Sequence, residues 1–220
     1  MHIPSRNQYV QIAEQIAASD VDVLFGGGLD HFSSTNGPCL PLLQKKMKVA
    51  LTTEEFRKIK NPKKAAALLY PVHPPWATER SVSLKELTQK AIEILSRDKD
   101  GFFLMVEGSQ IDWAGHQNDG TNVVSEVIDF DDAVGAGIDF AQNNGETLVI
   151  ITADHETGGF ALLGGSVENQ TVDKTGFVHG GHTATMVPLF AFGPGSDVFH
   201  GILDNTDIGQ TMIRFIQTSE

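Results

Sequence analysis

The side chains able to do chemistry lie in three short stretches. In Gly101–His116, GFFLMVEGSQIDWAGH, an apolar run gives way to Glu107 and then to Asp112 and His116. If the segment after Gly108 is helical, Asp112 and His116 stand at i and i+4 on one face, where a carboxylate and an imidazole can close on one zinc ion. The same spacing is common on helix surfaces, so this stretch alone also fits a capped, solvated helix. The second stretch, TLVIITADHETGG, sets Asp154 and His155 directly after an apolar run. The third, HGGHTA, offers His179 and His182 just ahead of another. An adjacent Asp-His pair is easily coincidental by itself. Three apolar runs, each with an acid or a histidine at its rim, are hard to obtain by chance. Together they supply Asp, His and Glu donors suited to zinc, with an all-oxygen site possible for magnesium.

Those residues need elements to hold them. Phe102–Val106, Thr147–Thr152 and Val187–Phe192 are apolar runs of strand length, the pattern of strands buried on both faces of a parallel sheet. Ligands collect beyond the carboxyl ends of such strands. Helices are predicted over Asn7–Ala18, after the capping-box pattern Ser83-Leu-Lys-Glu86, from Val123 to Ile138, and near the end, where Asp204, Asn205 or Thr206 caps a helix with Ile208, Met212, Ile213 and Ile216 inward. Val21–Phe25 reads as a strand stopped by Gly26-Gly27-Gly28. Without the Gly-Lys-Ser/Thr ending of a P-loop, that triplet reads as a tight turn.

Residues 30–80 read as a loop-rich insertion. Loops are expected at Ser33–Pro41 and Pro71–Pro75, with a short helix over Thr53–Ile59 and a strand over Ala66–Tyr70. Lys58, Lys60, Lys63 and Lys64, and the acids Asp129, Asp131 and Asp132, read as solvated faces. The stretch from Gly158 to Phe177 reads as a β-hairpin or lid loop. The expected fold class is α/β: a three-layer α/β/α sandwich, mostly parallel sheet with helices on both faces, in a single lobe spanning residues 1–220.

Composition narrows the function. With 40% hydrophobic and 20% charged residues, the chain is an ordinary globular sequence, long enough for a genuine core. A net charge of −12 argues against nucleic acid, whose backbone demands clustered Lys and Arg. An acidic protein that handles anionic esters needs local positive charge, which bound metals supply. The single cysteine, Cys39, excludes an internal disulfide. No run is long and apolar enough for a transmembrane span, and the N-terminus lacks a signal-peptide pattern.

The stretches VEGSQIDWAGH, TADHETGG and HTA followed by VPLFAFGPG resemble the C-terminal half of alkaline phosphatases, two-zinc, one-magnesium phosphomonoesterases. The likeness runs from about Arg6 to Ile213. It implies that Asp112, His116 and His182 hold a first zinc with one position open to substrate oxygen, that Asp154 and His155 hold a second, and that Glu107 serves the magnesium. His182, the histidine followed by Thr and a small residue, matches the family ligand, which leaves His179 as a supporting or loop histidine. Trp113 stands where some relatives place a Lys near the phosphate, a tentative pocket residue. The resemblance further implies phosphate monoesters as substrates, a homodimer, and a periplasmic or extracellular location.

What is missing also counts. The family's Asp-Ser-Ala nucleophile motif, bridging Asp and phosphate-clamping Arg belong to an N-terminal half with no match here, and no Asp-Ser dipeptide occurs. No catalytic nucleophile is therefore assigned, and the chain resembles a fragment or truncated form. A catalytically silent zinc-binding lobe, or another metal-dependent phosphoesterase or phosphomutase of the same superfamily, stays open beside the leading reading.

Overall fold

The computed structural model describes residues 3–33 and 39–217. The chain falls into two compact units, residues 1–107 and 108–220.

In the first unit the order is α1 (Tyr9–Ala18), β1 (Val23–Gly26), α2 (Leu29–Phe32), α3 (Cys39–Lys46), β2 (Lys48–Ala50), α4 (Thr53–Arg57), β3 (Ala65–Leu68) and α5 (Leu84–Leu95). The three strands pair parallel in the order β1-β3-β2. The central strand reads AAAL and is wholly buried. Because successive side chains of a strand point to opposite faces, β3 serves two cores. Ala66 and Leu68 pack with Ala13 and Ala17 of α1 and Leu43 of α3. Ala65 and Ala67 pack with Phe56 of α4 and Ile94 of α5. Helices on both faces of a parallel sheet make the expected α/β/α layering. Thr52 caps α4 and Ser83 caps α5 through their side-chain oxygens, as Ser83 was predicted to do. Glu86 turns outward instead, forming a two-pronged contact with Arg57.

Residues 30–80, expected to be loop-rich, carry β2, β3, α3 and α4 between their loops. The expected loop Ser33–Pro41 falls partly on residues 34–38, outside the described residues, and α3 has begun by Cys39. Phe102–Val106, expected to be a strand buried on both faces, is assigned to no strand. Among the described residues no strand pairs with it, and Phe103 and Met105 are 61% and 70% exposed while Phe102, Leu104 and Val106 are half-buried. An apolar run encodes the wish for cover on both sides but not the neighbour that provides it.

The second unit runs α6 (Gln110–His116), α7 (Gly120–Asn144), β4 (Val149–Ile151), β5 (Glu156–Thr157), β6 (Ala161–Ser166), β7 (Thr171–Gly176), β8 (His182–Thr183), β9 (Phe190–Phe192), a 3-10 turn at Ser196–Val198, and α8 (Asn205–Gln217). Its ladders are all antiparallel: β4 with β9, β5 with β8, β6 with β7. The parallel character is thus confined to the first unit. The expected strands at 147–152 and 187–192 are present as β4 and β9, but neighbouring in opposite senses, and Phe190 and Phe192 of β9 are exposed. The Asp119 side chain starts α7 by accepting from the Asn122 amide at 3.1 Å, and left-handed Gly145 ends it. On α7, Asp131 and Asp132 are solvent-exposed as expected, but so are Val127 and Ile128. On α8, Ile213 and Ile216 are likewise exposed rather than inward. Among the described residues no helix is long and apolar enough to cross a membrane.

Candidate metal centre

Helix α6 supplies the first two donors. Asp112 and His116 lie one turn apart, with His116 Nε2 3.4 Å from Asp112 Oδ1. The helix ends at His116, and two residues on Asn118, with a left-handed φ of 55°, turns the chain toward α7. The other donors come from the short ladder β5–β8, in which Glu156 faces Thr183 and Thr157 faces His182. That register brings the His182 ring against His155, two residues before Thr157. The rings stack with centroids 3.6 Å apart.

Glu156 ties the ladder together. Its carboxylate accepts from the amides of Gly159 and Phe160, both at 3.1 Å, and from the Thr183 hydroxyl. Burial pushes this carboxyl up. The Thr183 hydroxyl, the two amides and nearby His179 outweigh it and hold the group below the ordinary glutamate range. The turn that follows needs its paired glycines. Gly158 and Gly159 both have positive φ, 90° and 63°, and a Cβ at Gly158 would stand 2.8 Å from the Phe177 ring.

The loop before β8 is shaped in the same way. His179 Nδ1 accepts from the Gly181 amide at 3.0 Å, so His179 is a loop histidine that builds the turn. Gly180 O lies 2.9 Å from His116 Nδ1. A carbonyl only accepts, so His116 donates from Nδ1, and Nε2 is the ring nitrogen turned toward Asp112 and His182.

These contacts bring three predicted ligands together. His116 Nε2 and His182 Nε2 are 3.1 Å apart, and each is 3.4 Å from Asp112 Oδ1. Zinc–ligand bonds of about 2.0–2.1 Å in tetrahedral array require ligand atoms about 3.3 Å apart. The triangle therefore fits one face of such a tetrahedron. Beside it, ligand atoms of Asp112, His155 and His182 all lie within 4.8 Å of one another. His155 Nε2 is 3.3 Å from Asp154 Oδ2, again the edge length of a shared ion, although the Asp154 side chain is 86% exposed. Trp113, the residue after Asp112, is 43% exposed on α6. Glu107 is exposed at the end of the first unit, and is described with that unit rather than with these donors. Two residues that the motifs had left without a role, Glu156 and Thr157, stand at the heart of the ladder. The signal available was their place in HETGG, between a metal-ligand pair and a glycine turn.

An α/β chain that gathers carboxylate and imidazole donors at the ends of a helix and short strands falls in the class of proteins with a candidate divalent-metal centre. Comparison with known proteins narrows that class. A family model described as alkaline phosphatase matches residues 66–175, half of the chain. Alkaline phosphatase 3 of Bacillus subtilis (strain 168) is 32% identical over 272 residues, covering 90% of this chain and 58% of its own. The structure of alkaline phosphatase from the Antarctic bacterium TAB5 superposes with a TM-score of 0.87 at 37% identity, covering 98% of this chain and 66% of that one. A variant of that enzyme with magnesium bound superposes equally well, TM-score 0.87 at 35% identity over the same shares of the two chains. The chain belongs to the alkaline phosphatase family. It spans some three-fifths to two-thirds of the length of these relatives.

Proposed function

We propose that this chain is the metal-binding portion of a phosphomonoesterase of the alkaline phosphatase type. In this reading Asp112, His116 and His182 hold one zinc, Asp154 and His155 contribute to a second, and Glu107 serves a magnesium. The observation that carries it is the near-equilateral triangle of Asp112 Oδ1, His116 Nε2 and His182 Nε2, with edges of 3.1, 3.4 and 3.4 Å. Its edges match those of a tetrahedral zinc site. Bound zinc would polarise phosphoryl oxygens and lower the pKa of a coordinated water. The chain's own residues do the positioning. Helix α6 presents Asp112 and His116 as a rigid pair, the β5–β8 ladder sets His182 against them, and the Gly180 carbonyl holds the His116 ring in the tautomer with Nε2 free. Trp113, half-exposed beside Asp112, would border the bound phosphate. Homodimer formation and export accompany this reading by likeness to the family.

The covalent step is not assigned to these residues. The serine nucleophile of the family mechanism has no counterpart motif in this sequence, which supports a second reading, a zinc-binding lobe silent in catalysis. Metal analysis after dialysis tests the common ground. Wild type should retain zinc that the double variant His116→Ala plus His182→Ala loses, and equal zinc in both would refute the assignment. A p-nitrophenyl phosphate assay separates the two readings. Turnover in the ordinary enzyme range, about 1–10³ per second, abolished by Asp154→Ala, would favour a complete active site. Zinc retention without turnover would favour the silent lobe.

A further inference from the structure

Thr157 lies between the two groups of donors and touches both. Its hydroxyl is 2.6 Å from Asp112 Oδ1 and 3.2 Å from His155 Nδ1. A hydroxyl has one proton, and a carboxylate can only accept, so Thr157 donates to Asp112. The lone pairs of the same oxygen then face His155 Nδ1. That contact is a hydrogen bond only if His155 carries its proton on Nδ1, which leaves Nε2, the atom 3.3 Å from Asp154, as the free lone pair. The rest of Thr157 is fixed from behind. Its backbone pairs with His182 in the β5–β8 ladder. Its Cβ, its methyl and its carbonyl sit so close to Gly115 of α6 that a Cβ there would approach each to 3.0 Å.

We infer that Thr157 is the positioning residue of the centre: its single hydroxyl fixes the ligating oxygen of Asp112 and selects the metal-binding tautomer of His155, so that one side chain sets both donor groups at once. The inference rests on the metal assignment proposed above and adds to it a residue that binds no ion. Hydrogen bonds to ligands of this kind tune affinity by orienting the donor atom, and their loss typically costs about 10–100-fold in metal affinity. Packing against Gly115 uses the Thr157 carbon atoms and its carbonyl, whereas orientation uses the hydroxyl, so the two roles are separable by substitution. Valine keeps the shape and removes the hydroxyl. Serine keeps the hydroxyl and removes the methyl.

The test is a competition titration of zinc against a chromophoric chelator on the full chain, for wild type, Thr157→Val, Thr157→Ser and the His116→Ala plus His182→Ala double variant. The absorption spectrum of the cobalt-substituted forms reads coordination geometry alongside. The expected result is a loss of about 10–100-fold in zinc affinity and an altered cobalt spectrum for Thr157→Val, with Thr157→Ser close to wild type in both. Wild-type affinity in Thr157→Val, or equal losses in the valine and serine variants, would overturn the inference and leave the metal site standing. Zinc binding no better in wild type than in the double variant would overturn the metal assignment and this inference together. A further measurement needs no variant. Nitrogen-15 correlation spectra of the metal-free wild type should show the His155 proton on Nδ1, and a proton on Nε2 would overturn the inference even if the valine variant did not fold.

Discussion

The packing of Gly115 against Thr157 gives a perturbation whose size can be worked out in advance. Replacing Gly115 by alanine places a methyl 3.0 Å from Thr157 Cβ, Cγ2 and O, about half an ångström short of the ~3.5 Å at which carbon pairs rest. One of the three atoms is a backbone carbonyl, so rotation of a side chain cannot relieve the overlap. Helix α6 and strand β5 must part by a few tenths of an ångström. Two stability effects oppose each other: alanine in a helix gains about 0.5–1 kcal/mol over glycine, and overpacking costs about 1–3 kcal/mol. The net change should lie between about zero and a loss of roughly 2.5 kcal/mol. The effect on the site should be sharper. Asp112 and His116 ride together on α6 and keep their mutual 3.4 Å, but their distances to His182, 3.4 and 3.1 Å, change by most of the shift. Metal sites tolerate about 0.2 Å. We therefore expect zinc affinity to fall by about 10–100-fold, the size seen when ligand-supporting contacts are lost. Glycines 135 and 137 of α7 are the control, because a Cβ there meets nothing within 4 Å. Alanine at either should raise stability by about 0.5–1 kcal/mol and leave zinc affinity alone. Zinc titration with thermal unfolding of the metal-free forms decides it. Unchanged zinc affinity in Gly115→Ala would refute the reasoning, whatever happens to stability.

Two further predictions concern the first unit. Phe56 is fully buried, with its ring edge-on to Phe25 at a centroid distance of 5.4 Å. Phe56→Ala should cost about 3–5 kcal/mol, read as a lower urea midpoint at unchanged slope. The Arg57 guanidinium, hydrogen-bonded to Glu86, holds that carboxyl below its usual range. A carboxyl lowered on folding stabilises above its unfolded pKa of about 4.3 and loses that contribution as pH falls through the folded value. The urea midpoints of wild type and Glu86→Gln should therefore differ at neutral pH and converge in acid. A gap that persists in acid would refute the pairing as its cause.

The sequence made the second unit's chemistry more legible than the first unit's fold. The i,i+4 spacing of Asp112 and His116 was compatible with one helix face, the Asp-His pair and the HGGH turn each sat beside an apolar run, and the resemblance of these motifs to the alkaline phosphatases singled the donors out. Hence the donors could be named before their distances were known. Strand β2, three residues with Val49 as its one β-branched side chain, drew no strand reading; β3, expected over Ala66–Tyr70, carries in AAAL none of the β-branched and aromatic signal that marks a strand. Alanine serves there because two helical layers press on β3 from both sides, a demand of tertiary packing that local pattern does not carry. The reverse error occurred at Phe102–Val106, Val127 and Ile213, where apolar residues suggested burial and the structure leaves side chains exposed. Hydrophobicity reports what a position would accept, and only the neighbours decide whether it is covered. Thr157 escaped notice for another reason. A hydroxyl's role lies in whom it touches, and its partner Asp112 is 45 positions away.

The ladder β5–β8 has only two residue pairs, yet the whole β6–β7 hairpin is hung from it, entering through Gly158-Gly159 and returning through His179–Gly181. So short a stem is a weak hinge when left to its own backbone hydrogen bonds, and local opening there would release the hairpin as a unit. His182 belongs to that stem, whereas Asp112 and His116 belong to helix α6. A zinc ion held by all three would act as a clasp, raising the free energy of opening by its binding energy. Metal supply and the breathing of the β6–β7 hairpin would then become one linked equilibrium, and anything that restrained the hairpin would in return strengthen the grip on the ion.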